Sequence, residues 1–187
     1  VGASAITIRP WTLRQRALAF AARPWVEVYL DTWQLPDGRV RDGFHQIVLP
    51  EYALIVPVTV DGHFVMIREF KQGVGEICLN APAGGLNPGE APLDGARREL
   101  LEETGYAAGD WQSLGTFVVD GSTGCGRGHL FLARGAKRVA APRLDETEEI
   151  DVVLLDEPSL RAALRANEIS MMPSACGVGL ALIALGA

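Results

Sequence analysis

The sequence predicts an α/β sandwich around a mixed β-sheet. Three observations carry this. Runs of β-branched and apolar residues alternate with Gly, Pro and Asp turns; one segment, Pro92 to Thr104, switches to a helical apolar period; and two more helical patterns fall near the C-terminal end. A chain of 187 residues is long enough for one domain with a proper core and a small N-terminal addition.

The elements follow in order. Residues 25–50 read as a hairpin: Trp25 to Leu30 alternates in polarity, Pro36-Asp37-Gly38 supplies a turn, and Val40 to Val48 returns. Ala53 to Val60 is nearly continuous in β-formers, as a strand buried on both faces requires. Asp61-Gly62 turns the chain into a returning strand, Phe64 to Phe70. Residues 73–91 are rich in Gly, Pro and Asn and read as loop around one short strand. A helix over Pro92–Thr104 has Pro in its first turn, Gly105 just past its end, and Leu93, Ala96, Leu100 and Leu101 on an apolar side. Trp111 to Asp120, Gly128 to Arg134 and Ile150 to Leu155 read as strands, and Ser159 to Ala166 and Met172 to Leu185 as helices.

Composition excludes several classes. A hydrophobic fraction of 48% and a charged fraction of 21% describe an ordered globular chain, not a disordered one. The net charge of -6, with no basic stripe, argues against nucleic acid as a partner. The apolar run Cys176 to Ala187 is too short to span a bilayer, which needs ~20 residues, and reads as a buried helix. Cys78, Cys125 and Cys176 are far apart and odd in number, so neither a disulfide framework nor a thiolate metal site is implied. The first residues, Val1 to Pro10, do not form a signal-peptide pattern, and the expected location is cytoplasmic.

The chemistry concentrates between Gly84 and Tyr106. Residues three and four apart on a helix share a face, so Glu99, Glu102 and Glu103 project three carboxylates to one side. Like charges at that spacing repel, and Arg97 and Arg98 relieve them only in part. A hard divalent cation, Mg²⁺ or Mn²⁺, relieves more and keeps open positions for water and phosphate. The plain alternative is a solvated acidic helix laced with Arg–Glu pairs.

This segment resembles the Nudix box: Gly84, then Glu90, Arg98-Glu99, an aliphatic Leu100, Glu102-Glu103, Gly105 and an apolar residue, here Tyr106. The seven fixed positions coincide by chance with a frequency on the order of 10⁻⁸ per starting position at average residue usage. The resemblance implies a Nudix-type α/β/α sandwich for residues 51–187, preceded by an N-terminal strand extension over residues 1–50. It implies Mg²⁺ or Mn²⁺ held by Glu99, Glu102, Glu103 and the backbone carbonyl of Ala83, with Gly84, Glu90, Arg98 and Gly105 supporting the box.

Features outside the box resemble the ADP-ribose and nucleoside diphosphate-sugar pyrophosphatase branch. Phe70 to Gly85 is similar to its strand and loop, and Asp145 to Ile150 to its acidic loop, where Glu146 aligns with the catalytic base and Glu148 with a secondary carboxylate. The branch implies a homodimer formed through the N-terminal strands and a base stacked on an aromatic from them, for which Trp25 and Phe44 are suitably placed; Lys71 can meet a phosphate, and Arg127, in a Gly124–Gly128 run that could cradle phosphate, is a further candidate contact. The expected reaction is hydrolysis of ADP-ribose to AMP and ribose 5-phosphate. The alternatives are a GDP- or UDP-sugar, a dinucleoside polyphosphate, or a non-enzymatic nucleotide-sugar sensor. Three departures bear on the substrate: Lys71 where arginine is common, Asn80 where glutamate is common, and the Gly-rich Asp120–Gly126 segment. His129 near that segment and Cys125 between glycines are weaker candidates.

Overall fold

The computed structural model describes residues 7–186. Residues 1–6 and 187, with the start of the Val1–Pro10 segment and the last residue of the apolar tail, lie outside the described residues. The chain divides into two compact units: the chain up to Pro50 with Val118–Gly126, and Glu51–Phe117 with Arg127–Ala187.

The first unit is a three-stranded antiparallel sheet of β1 (Thr12–Ala22), β2 (Val26–Gln34) and β3 (Val40–Val48), in that order. The expected hairpin is therefore a three-stranded meander, and Trp25, expected to start a strand, sits in the turn between β1 and β2. Strand β1 escapes a sequence reading for a physical reason. Its one β-branched residue is Thr12, alanines dilute its alternation, and all of it is exposed. Gly38 closes the β2–β3 turn at φ 92°, a conformation that favours glycine. The buried Asp31 is held by a two-pronged bond from Arg16, at 2.8 Å from Nε and 2.7 Å from Nη2, which lowers its pKa.

The second unit carries the mixed sheet. Its strands are β4 (Tyr52–Thr59), β5 (Phe64–Lys71), β6 (Glu76–Asn80), β7 (Ala83–Gly85), β8 (Tyr106–Ala107), β9 (Asp110–Asp120), β10 (Cys125–Arg138) and β11 (Ile150–Leu155). Strands β9 and β10 run on into the first unit at their joined ends. The main path is β11-β5-β4-β10-β8, with β6 on β5, β7 on β4 and β9 on β10. Strands β4 and β10 are parallel, while β5 is antiparallel to β4, β6 and β11. Both the mixed sheet and the sandwich were expected.

Strand β4 shows why this is a sandwich. Leu54, Val56 and Val58 enter one core with α2 (Glu157–Arg165) and α3 (Met172–Ala184). Ala53 and Ile55 enter the other, with Ala96 and Leu100 of α1 (Pro92–Thr104). Burying each large aliphatic stabilises by roughly 1.5–3 kcal/mol. Helix α3 is the buried tail helix that was expected, with one face in: Val178, Ala181 and Leu182 meet the core, while Ile183 is exposed. Among the described residues no helix is long and apolar enough to cross a membrane.

Helix α1 keeps its expected bounds. Pro92 occupies the first turn, and Gly105 caps the end at φ 73°, its N–H donating to Leu101 O. The buried stripe runs Ala96, Leu100, Glu103. A carboxylate thus occupies a position that helical geometry reserves for an apolar side chain.

Candidate active site

Arg98 is the hub of the box. Its Nε and Nη2 each lie 2.9 Å from a different oxygen of Glu90. Nη2 also donates to Gly85 O at 2.9 Å, and Nη1 to Glu99 at 2.7 Å and Glu102 at 3.1 Å. Glu90 further accepts from Asn87 N–H at 2.9 Å. Loop and helix are thereby clamped together. The guanidinium and this backbone bond hold the Glu90 carboxyl down to about 2, and the carboxylates around Arg98 raise its own pKa.

Glu103 lies in a different environment. It is 4% exposed, and burial pushes its carboxyl well above the ordinary value, with the charges of Glu99 and Glu69 adding to the effect. The Ala83 N–H at 2.9 Å and the charge of Lys71 pull in the opposite direction and are outweighed. Glu99 is raised too, by burial and then by Glu102 and Glu148, against the pull of Arg98. Gly84 makes room for it: a Cβ there would stand 2.2 Å from Glu99 Cδ.

The residues fit a divalent cation by donor chemistry. Desolvated carboxylates crowded by like charges are stabilised by a hard cation that takes oxygen donors. As they stand, no three His, Cys, Asp or Glu side chains among the described residues form a closed metal cage. The four expected ligands are brought to one place in part: Glu103 bonds the Ala83 N–H, while Glu99 and Glu102 lean on Arg98.

The sheet side adds Glu69, which the sequence did not single out. Glu69, near the end of β5, pairs with Lys71 Nζ at 2.6 Å through Oε2 and accepts from Asn80 Nδ2 at 3.2 Å through Oε1. Its signal was a charge on the same face as Ile67 and Lys71, at the end of a strand whose first half is apolar. A cleft of about 850 Å³ is lined by Glu69, Lys71 and the acidic loop, including Glu146 and Glu148. Glu148 accepts from Asp145 N–H at 3.0 Å and ties its own loop, while Glu146 lines the cleft.

The other expected contacts are dispersed. Trp25, 72% exposed, and Phe44 belong to the first unit, where Phe44 packs edge-on against Trp11 at 5.6 Å between centroids. Arg127 pairs with Glu51 at 3.4 Å. His129 lies between Glu51 at 2.7 Å and Thr116 at 3.0 Å, and Cys125 is free and half-buried. In the Gly-rich segment, Asp120 accepts from Ser122 N–H at 2.9 Å and Thr123 Oγ1 at 2.6 Å. A carboxylate therefore organises the turn that joins β9 to β10.

The family model described as NUDIX domain matches residues 49–174. An ADP-ribose pyrophosphatase of Bacillus subtilis (strain 168) is 31% identical over 145 residues, covering 76% of each chain. A methanol dehydrogenase activator of Bacillus methanolicus is 31% identical over 132 residues, covering 70% of each. The fold matches the crystal structure of an ADP compounds hydrolase with a TM-score of 0.83 over 97% of both chains, at 22% identity.

Proposed function

The chain belongs to the NUDIX domain family and is a hydrolase of that family; from that premise we propose that it splits the pyrophosphate bond of a nucleoside diphosphate derivative with the help of a divalent cation. ADP-ribose is the first substrate, with water added to give AMP and ribose 5-phosphate. One observation supports this above the others. The desolvated Glu99–Glu103 pair is coupled to a cleft lined by Glu69, Lys71, Glu146 and Glu148, since Glu69 and Lys71 both line the cleft and act on Glu103.

Mg²⁺ or Mn²⁺ would be held by Glu99, Glu102, Glu103 and the Ala83 carbonyl, and supplies neutralisation of phosphate charge and acidification of water. The chain's own residues do the rest. Arg98 and Glu90 hold loop and helix in register. Lys71 offers its ammonium to phosphate as a point charge. Glu146 takes the proton of the attacking water, and Glu148 fixes the loop that carries it. Arg127 serves a phosphate, and Trp25 or Phe44 stacks on the base.

A homodimer is part of the proposal. The sheet of the first unit exposes Leu18, Phe20, Leu30, Val40 and Val48, apolar surface that a second copy would cover. A cytoplasmic setting is part of the same proposal.

The test is a panel of ADP-ribose, other ADP-, GDP- and UDP-sugars, NADH and diadenosine polyphosphates, incubated with Mg²⁺, with phosphomonoester release followed by a coupled phosphatase. Preferred turnover of ADP-ribose is expected. Preference for another nucleotide sugar moves the substrate and keeps the chemistry; no cation-dependent product from any member overturns the reading.

A further inference from the structure

Asn80 is 2% exposed, and its Oδ1 is buried with no hydrogen-bond partner among the described residues. Leaving a buried acceptor unpaired is unfavourable, so an apolar side chain of similar size would pack there at less cost. What the amide offers in return is its donor. Nδ2 lies 3.2 Å from Glu69 Oε1 on the neighbouring strand. A carboxylate only accepts, so the nitrogen must face Glu69, and the orphaned oxygen follows from that orientation. The other Glu69 oxygen, Oε2, holds Lys71 Nζ at 2.6 Å.

These contacts form a chain of three side chains: the Asn80 amide fixes the Glu69 carboxylate, and the carboxylate fixes the Lys71 ammonium. Lysine is a flexible point charge on a long stem, and it loses much rotamer freedom when it meets a phosphate. Held by Glu69, Lys71 has lost part of that freedom before the ligand arrives, and it still has ammonium protons to donate. Lys71 is partly exposed and lines the cleft beside Glu146 and Glu148.

We propose that Asn80 is a positioning residue that acts through Glu69 to set the Lys71 ammonium for the substrate's pyrophosphate. This rests on the reading of the preceding subsection. The carboxylate of the pair stands on β5 at Glu69, and the amide stands on β6. Two carboxylates facing each other here would repel and would compete for the same lysine.

The experiment exchanges amide and carboxylate with isosteric changes. Asn80→Asp places two carboxylates face to face. Glu69→Gln removes the lysine's charged partner. The double variant Glu69→Gln/Asn80→Asp rebuilds the chain in reverse charge order: the amide now on β5 donates to the carboxylate now on β6 and accepts from Lys71. KM and kcat are measured on the panel member turned over best, and binding of inorganic pyrophosphate is measured in parallel by titration calorimetry.

Each single variant is expected to raise KM and weaken pyrophosphate binding about tenfold, the scale of coupling between contacting residues, with kcat changed far less. The double variant should recover to within about threefold of the starting protein. In a Lys71→Ala background, Asn80→Asp should have no further effect on KM. A double variant no better than the worse single one, or an Asn80→Asp effect that persists without Lys71, overturns the proposal. Wild-type protein inactive on the whole panel but showing this pattern in pyrophosphate binding would sink the functional reading and leave this one standing. A protein that neither turns over the panel nor binds pyrophosphate overturns both.

Discussion

Glu90 and Glu103 belong to the same motif, and the fold drives them in opposite directions. Glu90 receives both prongs of Arg98 and a backbone N–H, and its carboxyl is held down to about 2. Glu103 lies on the buried stripe of α1, among other carboxylates, and is pushed well above the ordinary value. A carboxylate whose charge is satisfied inside the protein has a structural task. A carboxylate whose charge is left wanting is prepared for something that comes from outside, and a cation is what desolvated, crowded carboxylates attract. On the proposed reading, the contrast marks Glu90 as part of the scaffold and Glu103 as part of the cation site.

The largest effect should come from neutralising the wanting end. Glu103→Gln keeps the shape and an acceptor for Ala83 N–H. It is expected to cut kcat on the order of 10³-fold, the scale of losing a preorganised charge-stabilising group. The melting temperature should hold or rise, because an uncompensated buried charge is gone. A fully active Glu103→Gln protein would remove the residue from the site. Breaking the satisfied end should look different. Arg98→Ala frees Glu90, Gly85 O, Glu99 and Glu102 together. It should cost about 1–3 kcal/mol in urea unfolding, discounted for the partial exposure of the pair, and lower activity roughly 10–100-fold. Arg98→Lys keeps the charge but not the fork, and should recover little of either. Equal loss of activity in Arg98→Lys and Arg98→Ala, with no loss of stability in either, would break the distinction.

How much of this was legible depends on how local the cause is. Helix α1 was readable to its ends because Pro92 and Gly105 act on their own backbone, and the box spacing places Glu99, Glu102 and Glu103 on one face by helical period alone. Strand β1 was not, since an exposed strand rich in Ala, with Thr12 as its one β-branched residue, shows no clear alternation. Trp25 read as the start of β2 because its neighbours alternate, yet Arg23 to Trp25 form the turn. Glu69 was passed over for a different reason. Its meaning lies in Asn80 on the next strand and Glu103 on a helix, contacts that no local pattern encodes.

A smaller perturbation sharpens the contrast by moving one carboxylate without removing it. Gly84 has an ordinary backbone conformation, so alanine is allowed there, but its Cβ would meet the Glu99 carboxylate at 2.2 Å. The end of a flexible side chain can give way. Gly84→Ala should therefore shift the melting temperature by no more than about 3 °C while lowering activity about tenfold through displacement of Glu99. Loss of stability with activity preserved would mean that the glycine serves the backbone instead.

The smallest effect is the most direct reading of the two environments, and it is seen in cation-free protein as a pH dependence of stability. Glu90 binds its proton more weakly in the folded state than in the unfolded one. Its contribution is present above the ordinary value of about 4.5 and is lost as pH falls from there toward about 2. Glu103 binds its proton more tightly when folded, so its contribution is full below about 4.5 and is lost as pH rises through its elevated value. The two windows meet at the ordinary carboxylate value and slope in opposite directions. Melting curves recorded in chelator should thus flatten on the acid limb in Glu90→Gln and above that value in Glu103→Gln, each by about 2–4 °C. Mg²⁺ should raise the melting temperature of wild-type protein more at pH 8 than at pH 5, because ionised carboxylates are its ligands, and Glu103→Gln should erase most of that difference. If the Glu103→Gln curve runs parallel to wild type across the whole range, burial has not set this carboxylate apart, and the contrast with Glu90 fails.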